Sequence, residues 1–151
     1  MRSLRLVFIL VLSSICWSNF ALALDAQMQP LQSLSAWTNQ SGSTLYIDNI
    51  SPTGQIAGHY INRAQGYGCQ NTSYPATGWV YGSAITFTVN WMNAAASCNS
   101  ITSWTGFYNQ GAITTLWQLV INGSTSTSQI IQGGDVFKQT EQIKLQSLKL
   151  K

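Results

Sequence analysis

Charge is the scarcest property of this 151-residue chain: only 7% of it is Asp, Glu, Lys or Arg, against roughly a quarter in an average soluble domain. The acidic residues are Asp25, Asp48, Asp135 and Glu141, and His59 is the one histidine. Hydrolytic and redox mechanisms that need several titratable groups have almost nothing to draw on. Seven basic residues spread along the chain leave a net charge of +3, which makes no nucleic-acid footprint. Three cysteines and one histidine offer no spaced set of metal ligands. Helical periodicity is also missing between residue 24 and about Gln139. What is present is apolar and aromatic: 45% hydrophobic and 11% Phe, Trp or Tyr. That composition excludes a disordered chain and fills the core of one ordinary domain.

Arg2 and Arg5 precede an apolar run from Leu6 to Leu12, and the segment closes on Ala21-Leu22-Ala23. A basic start, a short apolar stretch and small residues at the cleavage position describe a secretory signal peptide, expected over 1–23. The run is too short to span a bilayer, so no membrane association is expected after cleavage. The mature protein is expected to be secreted or periplasmic. Its loss of Arg2 and Arg5 leaves five of the seven basic residues against four acidic ones. Cys16 leaves with the signal, and in an oxidising compartment the remaining Cys69 and Cys98 are expected to pair. Two free thiols are the alternative. Residues 24–34 are expected to be a flexible leader, 35–140 a single β domain, and 141–151 a solvated tail.

Within that domain the clearest signal has period two. In Ile85-Thr-Phe-Thr-Val-Asn-Trp91 the residues Ile85, Phe87, Val89 and Trp91 share one face. Similar runs at Ala36–Gln40, Ser43–Ile50, Gln55–Ile61, Ala76–Gly82, Ser100–Asn109, Ala112–Ile121 and Ile130–Thr140 are separated by turn residues. Eight short strands with short connections predict an all-β, eight-stranded antiparallel up-and-down β-barrel, which also removes exposed strand edges.

Polar groups share faces with tryptophans. Ser100, Thr102 and Trp104 point the same way, as do Trp37 and Asn39, and Thr115, Trp117 and Leu119. Burying an unpaired hydroxyl or amide costs roughly 1–3 kcal/mol. These groups therefore bond to each other, to the backbone, to water or to a ligand. Closure of a small barrel by indoles is one reading. An aromatic-lined ligand cavity with a few placed polar groups is the other.

The motifs Trp37-Thr-Asn39-Gln-Ser-Gly-Ser43-Thr, Trp104-Thr-Gly106-Phe-Tyr, Leu116-Trp117-Gln-Leu119 and Gly134-Asp135-Val-Phe137 resemble, in order and spacing, those of the avidin/streptavidin family. The resemblance runs from about Ala36 to Thr140. Cys69-Gln-Asn, Tyr74-Pro75 and Cys98-Asn-Ser are similar to the bacterial dimeric, rhizavidin-like branch. The resemblance implies a non-catalytic, high-affinity biotin site with no cofactor and no metal. Asn39, Ser43 and Tyr60 match three donors to the ureido oxygen, and Asp135 matches the carboxylate accepting a ureido N–H. Asn62 stands where streptavidin has a serine accepting the second N–H. Thr102 would face the ring sulphur, with Trp91, Trp104 and Trp117 as the aromatic box and Leu119 as an aliphatic wall. Ser100 and the backbone around Ala64, in the Arg63–Gln65 loop, would meet the valeryl carboxylate.

Tetrameric members carry a tryptophan between their last two strands that reaches into a neighbour's pocket, whereas Asn122 to Gly134 holds no aromatic residue. A homodimer is therefore expected, with a Cys69–Cys98 bond pre-organising the loop at the mouth. Other readings predict different behaviour. A barrel carrying a different small cyclic ligand would not bind biotin. An exported structural barrel would bind no small ligand saturably. A hydrolase using Asp135 with Asp48 would need both carboxylates at one substrate, yet Asp48 is out of phase with Leu45 and Ile47.

Overall fold

The computed structural model describes residues 31–140. The expected signal peptide, the first part of the expected leader and the tail lie outside them. The strands are β1 (Ser35–Asn39), β2 (Thr44–Ile50), β3 (Gln55–Ile61), β4 (Ser73–Tyr81), β5 (Ala84–Met92), β6 (Ser97–Asn109), β7 (Ala112–Ile121) and β8 (Ile131–Gln139). They pair antiparallel in sequence order and close as β1 meets β8, giving the expected up-and-down barrel. The closing seam is short, with Trp37↔Gln139, Thr38↔Lys138 and Asn39↔Phe137 as its pairs.

Alternation along β3–β8 builds most of the interior. Leu45, Ile47, Ile56, Tyr60, Ile85, Phe87, Val89, Trp104, Ile113 and Phe137 are buried, while their neighbours other than the buried Thr44 are partly or fully exposed. Phe87 stacks on Trp104 at 4.7 Å between ring centroids, and Tyr60 lies 5.0 Å from Trp104 on another side. Glycines at two inward positions let neighbouring strands approach closely. A Cβ on Gly78 or on Gly106 would stand 1.9 Å from the carbonyl oxygen of Thr86 or of Thr114.

Three boundaries differ by more than one residue from those expected. β4 starts at Ser73, because Pro75 lies where β4 pairs with β3 alone; the β4–β5 ladder begins only at Ala76. β6 starts at Ser97, which pairs with Met92 across a register shift. The stretch expected as leader is packed at its end: Leu31 is only 2% exposed, and the Ile50 amide donates to Ser33 Oγ at 2.8 Å. An apolar side chain next to an unfinished core is buried there, although no strand pattern announces it.

Candidate ligand pocket

One end of the barrel holds a cavity of about 280 Å³, near the lower end of small-molecule pockets. Asn39, Ser43, Tyr60, Asn62, Ala64, Trp91, Ser100, Thr102, Trp104, Trp117, Leu119 and Asp135 all line it. Seven of the eight strands or their ends contribute, so residues distant in sequence converge because the barrel closes.

Local bonding orients each polar group. Asn39 ends β1, and its Oδ1 accepts the Ser41 and Ser43 amides at 3.1 and 2.9 Å. The side-chain NH2 is thereby left as the group available to the cavity. Ser43 is 1% exposed; its Oγ accepts the Arg63 amide at 2.8 Å and donates to Asn62 Oδ1 at 3.3 Å. Burial pushes the Tyr60 phenol far above the ordinary tyrosine range, the negative charge of Asp135 adds to that, and a hydrogen bond with Ser43 acts the other way. Tyr60 is therefore a protonated donor.

Asp135, 7% exposed, accepts from Gln40 Nε2 at Oδ1 (2.8 Å) and from Trp104 Nε1 at Oδ2 (2.9 Å). The indole that forms one wall of the cavity thus also fixes its carboxylate. Trp91 Nε1 donates to Thr102 Oγ1 at 2.7 Å, which leaves the Thr102 proton free to point elsewhere. Asp135 is the one charged residue in the lining. Asp48 faces outward on β2, half exposed and 3.0 Å from His59 Nδ1, so the two carboxylates are not brought to one substrate. Trp79 is 56% exposed and outside the lining. Among the described residues no cluster of three or more His, Cys, Asp or Glu side chains is placed to hold a metal.

Sequence reasoning missed Gln40 and Tyr67. Gln40 lies just past β1, and its amide continues the barrel seam as a strand would. Nε2 also donates to Gly134 O at 3.1 Å, and Oε1 accepts the Val136 amide at 3.0 Å. Its partners lie about a hundred residues away, so no local pattern reveals them. Tyr67 stands edge-on to Trp117 with centroids 6.4 Å apart. Its loop is tied to β6 by the Cys69–Cys98 disulfide, with Cα atoms 6.0 Å apart. An aromatic residue in a loop tied beside a cavity was the signal that could have found it.

Comparison with known proteins agrees with this architecture. The Avidin family model matches residues 27–140. Afifavidin from Afifella pfennigii is 43% identical over 128 residues, covering 76% of this chain and 79% of afifavidin. Apo shwanavidin superposes with a TM-score of 0.72 at 59% identity, covering 74% of this chain and 98% of that one. Rhizavidin in complex with biotin superposes at 0.67 with 43% identity, covering 74% and 95%. The chain belongs to the avidin family.

Proposed function

We propose that this protein is an exported, high-affinity biotin-binding protein that holds one biotin in the open end of each barrel. The observation that carries the reading is the division of polarity in a single buried cavity. Donors at Asn39, Ser43 and Tyr60 and an acceptor at Asp135 are set among Trp91, Trp104 and Trp117. A cyclic urea presents the complementary pattern, a carbonyl oxygen and ring N–H groups on a flat body. Three donors on one carbonyl draw charge onto its oxygen, and the carboxylate opposite draws the N–H proton the same way. In a water-poor site such bonds are worth roughly 1.5–3 kcal/mol each. The rhizavidin–biotin complex supports the ligand. The family is one of non-catalytic binding proteins, and the protein is not an enzyme.

The Ser43 proton is spent on an internal bond and would turn to the ligand, giving up Asn62 Oδ1 for the ureido oxygen, whereas the Thr102 proton is already free to meet the ligand. Tyr67, against Trp117, takes the place of the aromatic residue that tetrameric members borrow from a neighbour. A second copy of the chain is the partner that suits the exterior of β6–β8. There Ile101, Leu116, Val120 and Val136 are 40–75% exposed, and Lys138 is the one outward charge on those strands. Sedimentation is expected to give a dimer mass.

Calorimetric titration of the oxidised protein with biotin, beside Asp135→Ala, tests the reading. One biotin per chain is expected, with affinity falling by at least about tenfold in the variant. Absence of both heat and thermal stabilisation would leave the barrel in place and assign it to another small cyclic ligand.

A further inference from the structure

The resemblance makes Asn62 a ligand acceptor, yet its carboxamide is already occupied by the protein. Nδ2 donates to Gly68 O at 2.9 Å. Oδ1 accepts the Ala64 amide at 3.0 Å and the Ser43 hydroxyl at 3.3 Å. A primary amide offers two donors and two acceptor lone pairs, so most of its bonding capacity is used internally. The Asn62 backbone oxygen also accepts the Asn71 amide at 2.9 Å. These bonds grip one loop at its start, its middle and its end. The loop has no strand or helix of its own, only an isolated bridge between Asn62 and Gln70. At its centre a Cβ on Gly68 would stand 2.8 Å from Cys98 Sγ. The residue whose carbonyl Asn62 holds thus lies against the disulfide, next to Tyr67.

We infer that Asn62 is a positioning residue: by holding the 63–71 loop it keeps Tyr67 across the mouth and sets how fast a bound ligand escapes. The release-rate part rests on biotin being the ligand; the loop part does not. Two oxygen-for-amide changes separate this role from direct ligand contact. Asn62→Ser keeps an oxygen near the cavity and is too short to reach Gly68 O. Asn62→Asp keeps the shape and the acceptors and turns an oxygen toward that carbonyl.

Amide hydrogen exchange on the ligand-free, oxidised protein is the first readout. Faster exchange across 63–71 is expected in both variants, with the barrel strands unchanged, so a variant that fails to fold does not remove the test. Biotin release is the second, expected roughly tenfold faster in Asn62→Ser, the loss of about one well-placed hydrogen bond. Combined with Tyr67→Ala, Asn62→Ser is expected to add no further acceleration, because both act through one loop. Unchanged loop exchange, or release rates that multiply independently, would overturn the inference and leave Asn62 as a ligand contact alone. Absence of biotin binding would defeat the functional reading while the exchange result still decided the loop role.

Discussion

At one end of the barrel the interior is hydrocarbon: Ile47, Ile56, Val80, Ile85 and Ile113 are each no more than 3% exposed. At the other end Asn39, Ser43, Ser100, Thr102 and Asp135 are turned inward and buried. The strands and their alternation are common to both ends, so backbone geometry does not distinguish them. Side-chain chemistry does. The apolar end contributes burial, at roughly 25 cal/mol per Å² of apolar surface, and demands nothing in return. The polar end must satisfy every group it buries, and among the described residues no buried side-chain nitrogen or oxygen lacks a partner. It does so with bonds a ligand can enter by exchange. Stability is concentrated at one end and recognition at the other.

The most forceful way to break that comparison is to damage the apolar end. Ile56→Ala is expected to cost about 2–5 kcal/mol of stability, from lost transfer energy and the cavity left behind. Denaturant unfolding measures it, and the fraction still folded should bind one biotin per chain with little change in affinity. An affinity loss larger than the stability loss would mean that the ends are not separable. Opening the Cys69–Cys98 bond comes next, because it belongs to both properties. The half-cystines are 29 residues apart, so the open loop frees roughly 3 kcal/mol of chain entropy in the unfolded state. Biotin release should accelerate under reductant. An unchanged off-rate in the reduced protein would mean that the loop needs no tie.

Gln40→Ala acts on the polar end alone. It removes a donor from Asp135 and the acceptor of the Val136 amide, and is expected to weaken biotin by about 1 kcal/mol, roughly fivefold. Calorimetry measures the affinity, and the melting temperature should move little because Gln40 sits at the rim. A large fall in stability with intact binding would make Gln40 a strut of the barrel seam and nothing more.

The inward faces were legible in the sequence because alternation is a local property: Ile85 to Trp91 declares its inward face without help, from the apolar end to the cavity. The barrel followed from strand count and short connections. The twelve residues that the resemblance places at a ligand line one cavity. What stayed hidden depends on contacts between distant segments. Gln40 reads as a turn residue, and only barrel closure brings it to β8. Leu31 precedes the first strand and carries no period. Pro75 reads as a strand breaker because its freedom from the β5 ladder is a matter of register. The Ser126-x-x-Gln129 spacing was readable in principle. It forms a capping box on the short 3-10 turn Thr127–Gln129, a local signature.

Alkaline pH gives the mildest separation of the two ends. None of the hydrocarbon residues at the apolar end titrates, whereas Tyr60 at the polar end is held protonated, first by burial and then by Asp135. As pH rises past the ordinary tyrosine value of about 10, the unfolded chain loses this proton and the folded protein keeps it. Tyr60 therefore contributes fully below that value, and its contribution declines as pH climbs toward the higher folded value. Guanidinium unfolding of the native protein and of Tyr60→Phe across this window measures the difference. The native protein should lose stability faster than the variant, while its phenol still donates and biotin remains bound. Parallel declines would place the alkaline sensitivity outside the pocket and remove pH as a means of telling the two ends apart.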